Sequence, residues 1–161
     1  MRLRPADADD LHRLDALERA AFDEPWSRAQ LDSHLAHPLA LTLLAEDEPL
    51  AEDRTHERQP PLGYAALLLV AGEAELLRIA TRPEARRRGV ARRLLDEALA
   101  QLRLRGAAIC HLEVREDNAA AIALYVSAAF SRTGRRAGYY RDGTAALLYQ
   151  KELPTAQPGS G

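Results

Sequence analysis

A strand, a basic turn that contains glycine and a helix follow one another between residues 74 and 106, and this succession limits the fold more than any other feature. Residues 74–81 read as the strand, and residues 86–91 (Arg-Arg-Arg-Gly-Val-Ala) form the turn. After the turn, apolar side chains recur at helical spacing until Gly106, namely Ala91, Leu94, Leu95, Ala98, Leu99 and Leu102. Free backbone N–H groups, the helix dipole and arginine charges meet at such a turn, which predicts a site for a ligand that carries phosphate.

The alternative is a solvated basic helix start, which three arginines alone would favour. Gly89 stands where backbone must approach a ligand closely, and Ala91 is also small, so the flanks favour phosphate binding. The turn is neither a Walker loop, since no Gly-Lys-Ser/Thr follows, nor a dinucleotide-binding GxGxxG.

Composition limits the class of protein. The chain has 161 residues, 47% of them apolar and 29% charged, with a formal net charge of −2. These values predict one soluble domain over residues 1–153 with a disordered tail at 154–161, and they argue against general nucleic-acid binding. A single cysteine excludes an intramolecular disulfide, and no apolar run approaches the roughly 20 residues of a membrane span. With no signal peptide at residues 1–5, we expect a cytoplasmic monomer without membrane contact.

The order of elements predicts an α/β (α+β) fold with a mixed sheet and helices on both faces. Strands are predicted at 1–4, 41–45, 62–70, 74–81 and 107–114, and a final pair flanks the turn at Asp142-Gly143. Helices are predicted after Asp7, after Ser27 and after Asn118, each of which can act as an N-cap. Residues 46–61 are acidic and hold three prolines, which predicts an exposed, mobile hairpin insertion of unassigned role.

Glu113 lies near the end of an otherwise apolar strand, where an unpaired buried charge would be costly. It is either a structural partner of Arg115 or Arg78, or a general base that faces a cleft. Tyr125 is either core packing or a proton donor, and Asn118 lies two helical turns before it.

Other candidates have simpler interpretations. Cys110 and His111 are consecutive strand residues that point to opposite faces, so core packing is favoured over a nucleophilic dyad. His34 and His37 lack a third ligand, so no metal is expected. Aromatic residues in predicted loops are either hydrophobic anchors or a peptide-recognition surface, namely Trp26, Tyr139 and Tyr140.

Taken together, these residues resemble the GNAT N-acetyltransferases and, within them, the bacterial RimI-type protein-alanine acetyltransferases. Arg86-x-x-Gly89-x-Ala91 is similar to the acyl-CoA pyrophosphate loop of that family, although glutamine often stands at the position of Arg86. The more discriminating likeness is Leu-Glu-Val-Arg at 112–115 followed by the run from Asn118 to Tyr125. Insertion 46–61 is longer than is usual in the family.

The resemblance implies a GNAT fold whose sheet splays in the middle, with acetyl-CoA as co-substrate and no metal. It implies Glu113 as general base and Tyr125 as general acid. It also implies that acetyl-CoA is bound by backbone and side-chain groups of ten residues: Ile79, Ala80, Thr81, Arg87, Arg88, Gly89, Val90, Ala91, Arg92 and Asn118.

The function implied by the resemblance is acetyl transfer to a protein N-terminus, most plausibly an N-terminal alanine of a small-subunit ribosomal protein. Direct attack by the amine requires no acetyl-enzyme, whereas transfer through Cys110 would. Two alternatives remain open: acetylation of small amines or lysine side chains, and a non-catalytic acyl-CoA-binding protein. Whether Glu113 would act directly or through water also remains open.

Overall fold

In the computed structural model, which describes residues 1–48 and 59–154, a seven-stranded sheet carries helices on both faces. The strand order is β1-β2-β3-β4-β5-β7-β6, and β4 with β5 is the parallel pair among otherwise antiparallel neighbours. The strands are β1 (Arg2–Pro5), β2 (Ala40–Glu46), β3 (Gly63–Val70), β4 (Glu73–Thr81), β5 (Ile109–Arg115), β6 (Ser131–Arg136) and β7 (Ala146–Glu152). The predicted mixed sheet is confirmed.

The described residues contain four α-helices, and the predicted caps of the second and fourth are confirmed. They are α1 (Leu11–Ala21), α2 (Arg28–Ala36), α3 (Val90–Leu104) and α4 (Ala119–Ser127). Ser27 and Gln30 form a capping box at α2, and Asn118 accepts a hydrogen bond from the Ala121 N–H at α4. A 3₁₀ turn, Ala8–Asp10, with Asp7 as its cap, precedes α1, so the first helix begins later than the sequence predicts.

The sheet separates two hydrophobic clusters. One face packs α3 and α4 through an apolar stripe that includes Leu94, Leu95 and Leu102, all fully buried. The other face packs α1 and α2 through a smaller cluster that contains Leu14, Leu17 and Leu31. Both faces of the central strands are therefore covered, which explains why β3 is apolar almost throughout rather than alternating.

The sheet opens between β4 and β5. These strands pair only from Glu73↔Ile109 to Leu76↔Leu112, and a register shift in the β3–β4 ladder leaves Leu77 as an extra residue in β4. Beyond this bulge β4 continues on β3 while β5 continues on β7. Residues 77–81 and 113–115 therefore border a gap, called here the strand opening, and the predicted splay is confirmed.

The predicted insertion and tail lie mainly outside the described residues. Of the insertion, residues 46–48 and 59–61 are described, and Glu46 accepts hydrogen bonds from Arg2, Arg4 and Arg13 at the end of β2. Of the tail, Pro154 is described, and its carbonyl accepts a hydrogen bond from Arg103. Among the helices of residues 1–48 and 59–154, none is long and apolar enough to cross a membrane.

Candidate active site

The basic turn, residues 86–91, has the backbone shape that an anion site requires. Arg87 and Gly89 have positive φ angles of 64° and 75°, and Gly89 is the N-cap of α3. The first intrahelical bond of α3 runs from the Arg93 N–H to the Gly89 carbonyl at 3.1 Å. The N–H groups of Val90, Ala91 and Arg92 precede that bond and lie at the positive end of a 15-residue helix. The backbone of the turn is therefore compatible with the predicted phosphate site.

The arginine side chains of this turn lie at the surface. Arg88 contacts Asp47 at 3.1 Å, and Arg92 contacts Asp96 at 3.0 Å, all four side chains being 41–55% exposed. Such exposed pairs are weak, so an incoming phosphate can exchange with the carboxylates at little cost.

One glycine that the sequence analysis did not single out lets α3 approach the sheet. A Cβ at Gly63 would lie 2.6 Å from the Ala80 carbonyl oxygen and 2.9 Å from Cγ1 of Val90. Glycine at this position of β3 therefore places the start of α3 directly against the end of β4. Its signal in the sequence was a glycine at the start of an apolar strand, which indicates close backbone approach.

The end of β4 brings the predicted acyl-chain segment to the same place. Ile79, Ala80 and Thr81 remain paired with β3, and they lie beyond the last residue of β4 that pairs with β5. Backbone groups of this segment that point away from β3 therefore face the strand opening, where they can bond an extended ligand.

Glu113 lies on the other border of the strand opening. Cys110, Leu112 and Val114 of β5 are buried in the α3–α4 cluster, so the alternate residue Glu113 points to the α1–α2 face. Its side chain is 30% exposed and lies 3.3 Å from Arg136 on β6. A hydrogen bond with Glu113 is the largest cause of the raised pKa of Tyr139.

The structural alternative for Glu113, a pair with Arg78 or Arg115, is not found. Arg78 binds Glu18 on α1 at 2.7 Å, and Arg115 turns outward to Asp117 and Asp142. Both arginines are satisfied by carboxylates closer to them, so the partner of Glu113 comes from the neighbouring hairpin instead.

Tyr125 lies on the α3–α4 face of β5. Its side chain is 5% exposed, and its ring centroid is 5.9 Å from that of Phe130. Burial is the main cause of a raised pKa, so the phenol keeps its proton near neutral pH. Glu113 and Tyr125 thus lie on opposite faces of β5, and residues 113–115 of this strand border the strand opening. Tyr140 makes a smaller contribution to the raised pKa of Tyr125. The pKa of Tyr140 is itself raised, first by burial and second by the charge of Glu113.

Asn118 is exposed, and its side-chain oxygen is 3.1 Å from the Ala121 N–H. The simple interpretation as an N-cap is confirmed. Because the oxygen serves the cap, the amide N–H₂ is the part of the side chain that would meet a ligand.

Four aromatic side chains on the α1–α2 face are called here the aromatic patch: Phe22 and Trp26, which lie beside Arg78, and Tyr139 and Tyr140, which lie beside Glu113. Tyr139 and Tyr140 pack edge-to-face with centroids 5.1 Å apart, and Arg115 lies 4.8 Å above the Tyr140 ring. Trp26 is half-buried, whereas Tyr139 is 47% exposed. The aromatic patch therefore contains a half-buried ring, that of Trp26, and an exposed ring, that of Tyr139.

Sequence reasoning missed a buried cluster beside this patch. Glu18 is fully buried and is bound by the Tyr64 hydroxyl and by Arg78. The signal was present, because Glu18 follows Leu14 and Leu17 on the apolar stripe of α1, where a charge needs a partner.

Cys110, His34 and His37 make packing contacts or local hydrogen bonds. Cys110 is fully buried, and burial raises the pKa of its thiol to about 12. His34 packs against Trp26, with centroids 5.6 Å apart, and the His37 ring accepts a hydrogen bond from the Leu39 N–H. Within the described ranges no group of three or more metal-ligating side chains occurs.

Residues 11–130 match the model of the acetyltransferase (GNAT) family. The chain belongs to this family. The [ribosomal protein bS18]-alanine N-acetyltransferase of Salmonella typhimurium is 36% identical over 125 residues, which cover 77% of this chain and 76% of that protein. The N-alpha-acetyltransferase RimI of Mycobacterium tuberculosis is 35% identical over 138 residues, covering 82% and 79%.

Solved structures of acetyltransferases have a similar fold. The ribosomal-protein-S18-alanine N-acetyltransferase of Escherichia coli has a TM-score of 0.83 and 29% identity, with 99% of this chain and 98% of that chain covered. An Arabidopsis thaliana NAA60 structure in complex with acetyl-CoA has a TM-score of 0.84 at 19% identity, covering 94% and 98%, and so shares the fold.

Family membership makes this chain an acetyl-CoA-dependent N-acetyltransferase, as the sequence predicted. The RimI-like resemblance is likewise confirmed.

Proposed function

We propose that this enzyme acetylates the N-terminal amine of ribosomal protein bS18, at alanine. The observation that carries this proposal is the name shared by relatives from Salmonella typhimurium and Escherichia coli, which are 36% and 34% identical over about three quarters of both chains.

In the proposed reaction the diphosphate of acetyl-CoA binds the basic turn. The N–H groups of residues 90–92 at the start of α3 and the charges of Arg87, Arg88 and Arg92 would hold it. The acyl arm would then run along Ile79, Ala80 and Thr81 into the strand opening, and Asn118 would contact the arm from α4. A backbone N–H of β4 would stabilise the oxyanion, a contribution of about 3 kcal/mol in other enzymes.

Glu113 would take the proton of the acceptor amine, directly or through one water. Its side chain is 30% exposed on the face that carries the aromatic patch, so an acceptor can reach it without entering the core. An N-terminal ammonium has an ordinary pKa of about 7.7–8.0, so its deprotonation near neutral pH is a modest task. The free amine would attack the thioester carbonyl.

Tyr125 would protonate the departing thiolate of coenzyme A. Its phenol is held in a dry position on the cofactor face, and its raised pKa keeps the proton available for donation. Base and acid would therefore act from the two faces of β5, with the thioester in the strand opening between them. Because Cys110 is fully buried and keeps its thiol protonated, no acetyl-enzyme is part of the proposal.

The proposal includes several expectations from the sequence. Residues 1–153 would act as one acetyltransferase domain, and the enzyme would be a cytoplasmic monomer without direct contact to nucleic acid or membrane. Trp26, Tyr139 and Tyr140 would contact the acceptor peptide.

Mass spectrometry of peptide acetylation tests the proposed function. The substrates would be the bS18 N-terminal peptide beginning with alanine, versions beginning with serine or methionine, and an N-terminally blocked version that keeps an internal lysine. We expect one acetyl group on the α-amine of the alanine peptide and none on the blocked peptide. Preferential acetylation of lysine, or stabilisation by coenzyme A without any product, would instead support the two alternative functions.

A further inference from the structure

A single buried carboxylate holds four parts of the chain together beside the aromatic patch. Glu18 on α1 is 0% exposed and accepts hydrogen bonds from the Tyr64 hydroxyl on β3, from the Trp26 N–H at 2.7 Å, and from Arg78 on β4. Arg78 donates through Nη2 at 2.7 Å and through Nε at 3.2 Å. We call Glu18, Tyr64 and Arg78 the Glu18 network. A charge so buried is stable only while its donors stay in place, so the network fixes the relative positions of these elements.

The network also holds the connection between α1 and α2. Besides the Trp26 N–H, the Glu24 carbonyl is bound, since it accepts a hydrogen bond from Nη2 of Arg78 at 3.0 Å. The guanidinium of Arg78 lies 4.0 Å from the centroid of the Phe22 ring and 5.2 Å from that of Trp26. Residues 22–26 are therefore fixed at both backbone and side-chain level by one arginine and its carboxylate.

Arg78 occupies a special position in the sheet. It directly follows the bulge residue Leu77, where β4 leaves β5, and it directly precedes the segment Ile79–Thr81 proposed to bind acetyl-CoA. Across the strand opening its charge lowers the pKa of Tyr140, against the raising effects of burial and of Glu113. One residue of β4 thus contacts the α1–α2 connection, and its charge acts on Tyr140 in the other part of the aromatic patch.

We propose that the Glu18 network, acting through Arg78, is a positioning device that sets the α1–α2 side of the acceptor site relative to bound acetyl-CoA. The claim rests on the proposed function, in that it places the acceptor peptide at the aromatic patch. Arg78 does not take part in proton transfer, because its charge is already compensated by Glu18 and its side chain is only 18% exposed. We call residues 22–26, which connect α1 to α2 and contain Trp26, the wall of the acceptor site. Loss of the network would leave the basic turn unchanged and would make this wall more mobile.

Trp26 is the only tryptophan in the sequence, so its fluorescence reports on this wall without any substrate. The test compares wild type with Arg78→Lys, which keeps the charge but loses the planar fork and the stacking on Phe22. We expect acrylamide quenching of Trp26 to increase about twofold and the acceptor-peptide KM to rise about tenfold, since lysine cannot reproduce two parallel bonds. The KM for acetyl-CoA should change less than about twofold, because the turn that binds it is built from separate backbone groups.

Arg103→Lys at the far end of α3 is the matched control, and it should leave all three quantities at wild-type values. If Arg78→Lys does not fold, Tyr64→Phe removes one donor to Glu18 without a change of charge and should move quenching and acceptor KM in the same direction, about threefold for KM. Unchanged quenching would overturn the proposal, and so would increased quenching with an unchanged acceptor KM, or a parallel rise in both KM values. A wild-type enzyme that acetylates none of the peptides would overturn the proposed function, whereas the quenching comparison would still decide whether the network holds the wall.

Discussion

The basic turn and the aromatic patch occupy opposite faces of one sheet, and they are built in different ways. The turn depends on backbone, with φ angles of 64° at Arg87 and 75° at Gly89 and free N–H groups at the start of α3. The patch depends on side chains from the α1–α2 connection, β4, β5 and the β6–β7 connection, held by Glu18 and Glu113. A backbone site suits a co-substrate common to a whole family, whereas a side-chain site can change with the acceptor.

The largest effect is expected at Tyr125, on the α3–α4 face. Tyr125→Phe should lower kcat by about 100-fold or more, since general acid catalysis contributes 10²–10⁴ in other enzymes, while affinity for acetyl-CoA stays near wild type. Steady-state kinetics with isothermal titration calorimetry measure both. Tyr149→Phe, which removes a hydroxyl from the same buried cluster, is the control and should keep wild-type turnover. Equal turnover in the two variants would remove Tyr125 from the reaction.

Glu113→Gln tests only the α1–α2 face, where the acceptor is proposed to bind. We expect kcat/KM to fall about 10- to 100-fold near pH 7 and the deficit to shrink as the pH rises, because the α-amine then loses its proton to solvent. A pH–rate profile from pH 6 to 9.5 measures this. Glu116→Gln removes an exposed carboxylate that pairs with Arg135 and should leave the profile unchanged. A deficit that is constant over this pH range would contradict the role of base.

Gly89→Ala tests only the α3–α4 face, where the basic turn is proposed to bind coenzyme A. A Cβ at Gly89 would meet no atom within 4 Å, so the expected cost is conformational rather than steric. An L-residue in this region costs about 1–2 kcal/mol, so the turn should shift and weaken coenzyme A binding by about tenfold, as measured by calorimetry. Gly106→Ala at the other end of α3 has φ +92° and equally open space, and it should lower only the melting temperature. Equal loss of coenzyme A affinity in both variants would show that strain in α3, not the turn, is responsible.

Glu46 provides a site where charge affects stability and not catalysis. Bonds from Arg2, Arg4 and Arg13 outweigh burial and hold its pKa at about 2, below the ordinary 4.5. The carboxylate therefore stabilises the fold above pH 4.5, and this stability is lost as the pH falls from 4.5 to about 2. Glu46→Gln should lower the free energy of unfolding by about 1–2 kcal/mol at pH 6, with the difference vanishing near pH 2.

Urea titrations at pH 6 and pH 2 measure this difference, with Asp96→Asn as the exposed control. A difference between wild type and Glu46→Gln that persists at pH 2 would contradict the assigned pKa.

The smallest effect is expected at Cys110. Cys110→Ala should leave kcat within about twofold and lower stability by about 1 kcal/mol, the cost of a small cavity. Intact-mass measurement of the wild type after acetyl-CoA alone should show no added acetyl group. Detection of an acetylated Cys110 would replace direct attack by a two-step transfer.

The same contrast explains which parts could be predicted from the sequence. Local signals were sufficient for the turn, because Gly89, the preceding arginines and the stripe of α3 are neighbours in the chain. Caps at Ser27 and Asn118 were equally local, and both are confirmed. The alternation of β5 also correctly separated Cys110 from His111.

Pairings between distant residues could not be predicted. Arg78 and Arg115 were the structural partners considered for Glu113 as an alternative to the role of base, yet its ion-pair partner is Arg136, because strand order β5-β7-β6 brings the final hairpin beside β5. Glu18 and Arg78 are 60 residues apart, and only the packing of α1 on β4 joins them. The need for a partner was visible in each charged residue on an apolar stripe, but the identity of that partner depends on topology.

The position of the transferred group tests the account most directly. A crystal structure with a bisubstrate analogue, coenzyme A joined to a peptide that begins with alanine, would give the distance from the Tyr125 hydroxyl to the sulfur atom. The account predicts hydrogen-bond reach, about 3–4 Å, with the sulfur in the strand opening and the alanine nitrogen on the Glu113 side. A sulfur atom held outside the opening, with Tyr125 still enclosed in the core, would contradict it.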